Sequence, residues 1–255
     1  MAGPIPHGRQ FAQWTEEYLN DAEEAIRKAF VALKSSSDFR AIYQNSFAAH
    51  AVLSKLVTTR WRPAAHGIRC LLLRIPFIVA SRQISLATVE LRRLMELTFW
   101  VVYFTDHPIE WSEFESNPAE GFYPSVDNPI RFCAHRSLKF YIDYSAERLA
   151  KEPSGVAKIA VEELRKLSNE LNSVVHPAHL SATRRKAPPF ENISATALAK
   201  FGRLQKNVFR CTSIILAAIF RKQFDAFPAM HRAQFDWLIG KKDALRVRAG
   251  PFGIT

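Results

Sequence analysis

Asn172 and His176 stand one helical turn apart near the end of the stretch 155–180, GVAKIAVEELRKLSNELNSVVHPAHL. At about 100° per residue, that stretch predicts a long amphipathic helix with three faces. Ala160, Leu164, Leu167, Leu171, Val174 and Val175 make the apolar face, and Glu163, Lys166, Glu170 and Ser173 point to solvent. Between them runs a polar stripe of Arg165, Ser168, Asn169, Asn172 and His176. Pro177 ends the helix just past the histidine. An imidazole placed there can serve as general acid or base near neutral pH. The helix C-terminus favours its cation, the form that pairs with a phosphate. The same histidine could instead cap the last carbonyls. Polar groups bordering a buried face need partners, so the stripe is either a helix-contact network or a site.

A second set lies in TVELRRLMELTFWVVYF, where Arg92, Arg93 and Glu96 interrupt a strongly apolar run. Charges in such a helix must pair or line a cavity. Glu96 is four residues from Arg92 and three from Arg93, which suits an intrahelical ion pair. The other reading sets one arginine beside His176 as a phosphate-stabilising cation. The run Arg184-Arg185-Lys186, with Lys241, Lys242, Arg246 and Arg248 near the end, could track a phosphate backbone or be a solvated surface. His176 and His179 are spaced for chelation, but no nearby carboxylate or cysteine completes a set, so no metal is expected. The phosphate-binding, dinucleotide-binding and hydrolase-elbow glycine motifs are all missing from the chain, and no cofactor is expected.

Composition turns attention to partners. Lysines and arginines exceed acidic residues by 11, a surface that attracts polyanions such as nucleic acid. Cys70, Cys133 and Cys211 are odd in number and sit in apolar contexts, which fits small core residues in a reducing compartment. The apolar stretches 68–80 and 208–220 carry internal arginines and are too short to span a bilayer, so the expectation is a cytoplasmic protein without a transmembrane segment.

The elements that must position these groups read as helices throughout. A loose arm at 1–10 precedes a helical pair over 11–60, whose second helix runs from Asp38 to Thr59. The Arg62-Pro63 and Gly67 region should break the pattern, Pro76 should mark a kink or boundary, and one long helix should cover about 77–104. A long loop over 105–129 holds one helical turn at 110–115; helix resumes over 130–149, and Pro153-Ser154-Gly155 turns into the amphipathic stretch. A second loop over 177–194 leads to a helix over 196–224, a short one over 228–239, and a basic tail at 240–255 expected to fray. About seven helices, two long loops and no convincing strand make a compact all-α bundle, a single domain over 1–255.

The Asn172–His176 step near the end of a long helix, in an all-α chain of this length, resembles the HEPN superfamily. The resemblance places a HEPN-like core at 68–222. It implies a helical bundle, in many members a metal-independent endoribonuclease of toxin–antitoxin or anti-phage systems. Two copies would meet as a homodimer so that paired motifs cut RNA. It also implies His176 as acid or base, Asn172 as its polar neighbour, and Arg92 or Arg93, near Glu96, as the cation on the phosphate. Arg165, His179, Arg184, Arg185 and Lys186 would contact the nucleic acid. The signature carries an arginine directly before the asparagine, where this chain has Leu171. That departure favours the alternative of a non-catalytic helical module binding nucleic acid or a protein partner.

Overall fold

The computed structural model describes residues 23–24, 27–28, 31, 33–57, 62–116, 137–175, 194–249 and 252, with 62–63, 113–116, 172–175 and 249 described in backbone only. Among these residues there are ten helices and no strand, an all-α bundle as the periodicity requires. They are α1 Ser37–Leu56, α2 Arg62–Ala80, α3 Ile84–Asp106, α4 Pro108–Ser116, α5 Leu138–Leu149, α6 Val156–Val175, α7 Ala195–Ile219, α8 Arg221–Asp225, α9 Ala229–Ile239 and α10 Lys241–Ala249.

The bundle is built around α7, which packs against α1, α3, α6 and α9. From Val208 to Ala218 only Arg210 escapes full burial, so this helix is wrapped on nearly every side. Two of its buried polar side chains bond across the bundle. Gln205 Nε2 donates to Ile42 O at 3.1 Å and Ser46 Oγ at 2.9 Å, and the Thr98 hydroxyl reaches Thr212 at 3.3 Å. Serine N-caps start three helices: Ser36, Ser137 and Ser194 each accept an amide three residues on.

Several boundaries differ from the sequence expectation, each for a physical reason. Pro76 does not end a helix but lies inside α2. An interior proline costs about 3 kcal/mol. The full burial of Leu72, Ile75 and Val79 around it offsets that cost. Gly67 also lies within α2 and makes no break, and a Cβ added there would touch Leu97 of α3 at 3.4 Å, an ordinary contact. The stop comes at Ser81-Arg82-Gln83, which divides the single helix expected over 77–104. Arg82 takes φ 57°, with Gln83 N bonded to Ile78 O and Arg82 N to Val79 O. That is the left-handed hydrogen-bonded cap usually marked by glycine, made here by an arginine.

The expected single turn at 110–115 is the full helix α4. The helix expected over 196–224 is split at Phe220 into α7 and α8. The tail expected to fray instead forms α10. Gly240, at φ 83°, turns the chain, Ala244 and Val247 bury against the bundle, and Asp243 pairs with Arg210.

One histidine on this frame gives a pH test. His50, on α1, is held below its ordinary pKa of about 6.5, chiefly by burial and secondarily by the Arg69 charge. A depressed folded value means that the unfolded chain takes up protons first as pH falls. The associated stability is complete above the unfolded value and is lost as pH drops through the lower folded one. Thermal unfolding of the wild type should therefore show a decline below about pH 6.5. His50→Gln should flatten it, and an identical decline in that variant would remove His50 as the cause.

Candidate nucleic-acid interface

The amphipathic helix α6 is positioned from both ends of its described length. At the N-terminus, Gly155 adopts φ 68°. The buried Glu152 accepts the amides of Ser154 at 2.9 Å and Ala157 at 3.3 Å. A carboxylate there satisfies orphan N–H groups and suits the helix dipole. Along its length Ala160, Val161, Leu164 and Leu171 are buried, and Leu167 packs partly buried against the core. Leu171, the position where the HEPN signature has arginine, is 0% exposed and faces hydrocarbon.

The polar stripe divides. Arg165 Nη2 donates to Asp143 Oδ1 of α5 at 2.8 Å, and Ser168 Oγ donates to Arg165 O at 2.6 Å. Lys139 first, and Arg165 after it, hold the Asp143 carboxyl below its usual range. This half of the stripe is a helix-contact network, and Arg165 is spent on it. Asn172 lies on the last turn of α6, four residues before His176 in the sequence. His176, His179, Arg184, Arg185 and Lys186 lie outside the described residues.

Arg92, Arg93 and Glu96 all lie on α3, which packs against α6. Arg92 Nε donates to Glu96 Oε1 at 2.8 Å, the intrahelical pair that the spacing suggested. Arg93 turns the other way, to Glu90, 3.3 Å from its Oε2. The end of α6 meets α3 closer to its start: Glu170 shares a cavity of about 190 Å³ with Thr88 and with Lys200 of α7. Arg92 stands one turn, about 6 Å, further along α3 from Thr88.

What the residue-by-residue reading missed is the seam between α6 and α7. Glu163, expected to point to solvent, instead pairs with Arg210, which also reaches Asp243 of α10. Two turns further along α6, Glu170 pairs with Lys200 at 3.2 Å. These contacts fix α6 and α7 antiparallel and bring one face of each together. Helical spacing then places Lys166 of α6 and Arg203 and Lys206 of α7 between the two bridges. All three are exposed and have no carboxylate partner among the described residues.

The seam thus carries Lys166, Lys200, Arg203, Lys206 and Arg210 against Glu163 and Glu170, and it leads to the end of α6 that bears Asn172. The signal lay in the sequence: Lys200, Arg203, Lys206 and Arg210 recur at three- and four-residue steps. A strip of long cations about 4–6 Å apart along helix axes suits successive phosphates on a strand.

Among the α3 aromatics, Phe99, Tyr103 and Phe104 are core, while Trp100 is half-buried at a cleft edge. Trp111, in the segment expected to be mostly loop, is buried on α4. Cys211 is a core thiol that burial pushes to about 11, whereas Cys70 is half-buried and lines the same cleft as Trp100. No group of three metal-ligating side chains occurs among the described residues, and no described helix is long and apolar enough to cross a membrane. No protein-family model matches the chain, and no curated protein or solved structure does.

Proposed function

We propose that the chain is an RNA-acting helical protein that holds a single strand along the α6–α7 seam and delivers it to the end of α6. The observation that carries this reading is the row Lys166, Arg203 and Lys206, exposed between two ion pairs that have already consumed the nearby carboxylates. The cationic excess of 11 over the whole chain works in the same direction by drawing polyanions to the surface. His176 comes four residues after Asn172 in the sequence, and in this reading it moves a proton at a 2′-hydroxyl or a leaving oxygen. The protein works in the cytoplasm as a homodimer, in a defence or toxin–antitoxin setting, as the HEPN resemblance implies.

A second reading, binding without cleavage, is favoured by a specific set of contacts. Leu171 faces the core, Arg92 is claimed by Glu96, and Arg93 by Glu90. A phosphate at His176 would then lack the cation that stabilises its developing charge.

One experiment separates the two. Fluorescent single-stranded RNA is incubated with the wild type and with His176→Ala, and both binding and strand scission are followed without added metal. The nuclease reading expects equal binding and at least a hundredfold less scission in the variant. Equal binding with no scission by either protein selects the binding module. No binding by either removes both.

A further inference from the structure

A cleft of about 370 Å³ opens between α2 and α3, away from the α6–α7 seam, with Cys70, Arg74, Arg93, Glu96 and Trp100 on its walls. Both of these arginines pair with Glu90, whose side chain is 1% exposed and lies outside the cleft lining. A lone buried carboxylate is unfavourable, and this one is met from both helices: Arg74 Nη2 lies 3.0 Å from Oε1 and Arg93 Nη1 3.3 Å from Oε2. Each arginine side chain is nonetheless 57% exposed. A guanidinium has five N–H donors, and Glu90 engages only one nitrogen of each. The carboxylate therefore fixes two half-exposed forks side by side and leaves most of their donors to the cleft. Of the charged groups at the site, the one opposing carboxylate on the wall is Glu96, which Arg92 pairs at 2.8 Å. The cluster of three arginines and two glutamates keeps one net positive charge.

We propose that this cleft binds a phosphate ester the size of one nucleotide. Arg74 and Arg93 would take the phosphate oxygens, each bidentate where geometry allows, as planar guanidiniums favour. Leu71, Leu97 and Trp100 would receive the apolar or aromatic part. Glu96 Oε2, not used by Arg92 Nε, would accept a hydroxyl or amine proton. The volume suits a mononucleotide, at the small end of ligand pockets. Because Glu90 already holds both arginines in place, little side-chain freedom remains to be lost on binding. The cleft shares no lining residue with the seam. Its ligand is either a free nucleotide or one nucleotide of a strand.

Cys70 supplies the readout. Its thiol lies on the cleft wall, 3.4 Å from His66 Nε2, while Cys211 is buried and protonated at neutral pH. In a Cys133→Ser background, alkylation of Cys70 by iodoacetamide is timed with adenosine, AMP, CMP, inorganic phosphate or a short single-stranded RNA present. The expected result is at least a tenfold slowing by millimolar AMP or CMP and little by adenosine. Arg93→Lys, which keeps the charge on Glu90 but not the fork, should lose most of that slowing while Cys70 still reacts at the unliganded wild-type rate.

Slowing by the RNA but not by free nucleotides assigns the site to a strand. Slowing by adenosine equal to that by AMP, or unchanged rates with every phosphate compound, overturns the proposal. Seam variants leave this protection intact if the two sites are separate, so loss of RNA binding and loss of the cleft ligand are told apart.

Discussion

Leu171→Arg, the change that would restore the HEPN arginine, is expected to unfold or severely destabilise the protein instead of activating it. Leu171 is 0% exposed on the core face of α6, among residues such as Leu164 and Ala160 that are equally buried. Removing leucine packing alone costs about 2–5 kcal/mol. Desolvating an unpaired guanidinium adds several kcal/mol more, unless its long stem drags the charge to the surface and distorts the helix. The sum is comparable to a whole domain's stability of about 5–15 kcal/mol. Leu171→Met, close in volume, should cost less than about 1.5 kcal/mol and serves as the control. Urea denaturation followed by circular dichroism measures both. A folded Leu171→Arg protein that cleaves RNA would mean that position 171 faces an open groove, contrary to the packing described.

The second large effect is at Glu90. Replacing Arg74 and Arg93 together by methionine strands a carboxylate whose side chain is 1% exposed. Breaking a buried pair this way costs about 3–5 kcal/mol. Each single replacement should cost far less, because the remaining arginine still neutralises the charge. Adding Glu90→Leu to the double variant should recover most of the loss, since it removes the stranded charge and puts an apolar side chain at a buried position. The sign of that rescue is the decisive outcome. If the triple variant is no more stable than the double, the carboxylate is not what makes the arginines necessary.

The elements that the sequence made legible share one property: their determinants are local. The periodicity of α6, its turn at Gly155 and the intrahelical Arg92–Glu96 pair are all set within one or two turns. The α3 aromatics read as core for the same reason, since so apolar a helix can only be buried. What stayed hidden depends on partners distant in sequence or on an unusual residue in a familiar role. Arg82 closes α2 without glycine, so α2 and α3 could not be separated by inspection. Pro76 survives inside α2 because tertiary burial outweighs a local penalty.

The spacing allows Glu96 to pair with either Arg92 or Arg93; Arg92 takes it, and Arg93 joins Arg74 of a different helix on Glu90. Arg165 looked free to meet nucleic acid until Asp143 of α5 claimed it. The α6–α7 seam needed both kinds of information. The spacing along α7 was visible in the sequence, but its meeting with Lys166 required the bridges Glu163–Arg210 and Glu170–Lys200.

The central claim, that the seam carries RNA by charge, is tested most directly by the salt dependence of binding. Affinity for a single-stranded RNA is measured by anisotropy between 50 and 300 mM salt for the wild type and for Lys166→Ala/Arg203→Ala/Lys206→Ala. These side chains are exposed, so the variant should keep its helical signal and melting temperature. Each phosphate contact contributes about 0.7 to the slope of log K against log salt for a single strand, so removing three should make the slope shallower by about 2 and weaken binding at low salt by at least tenfold. A variant with the wild-type slope and affinity would show that RNA, if bound, lies elsewhere on the protein, and the account of the seam would be wrong.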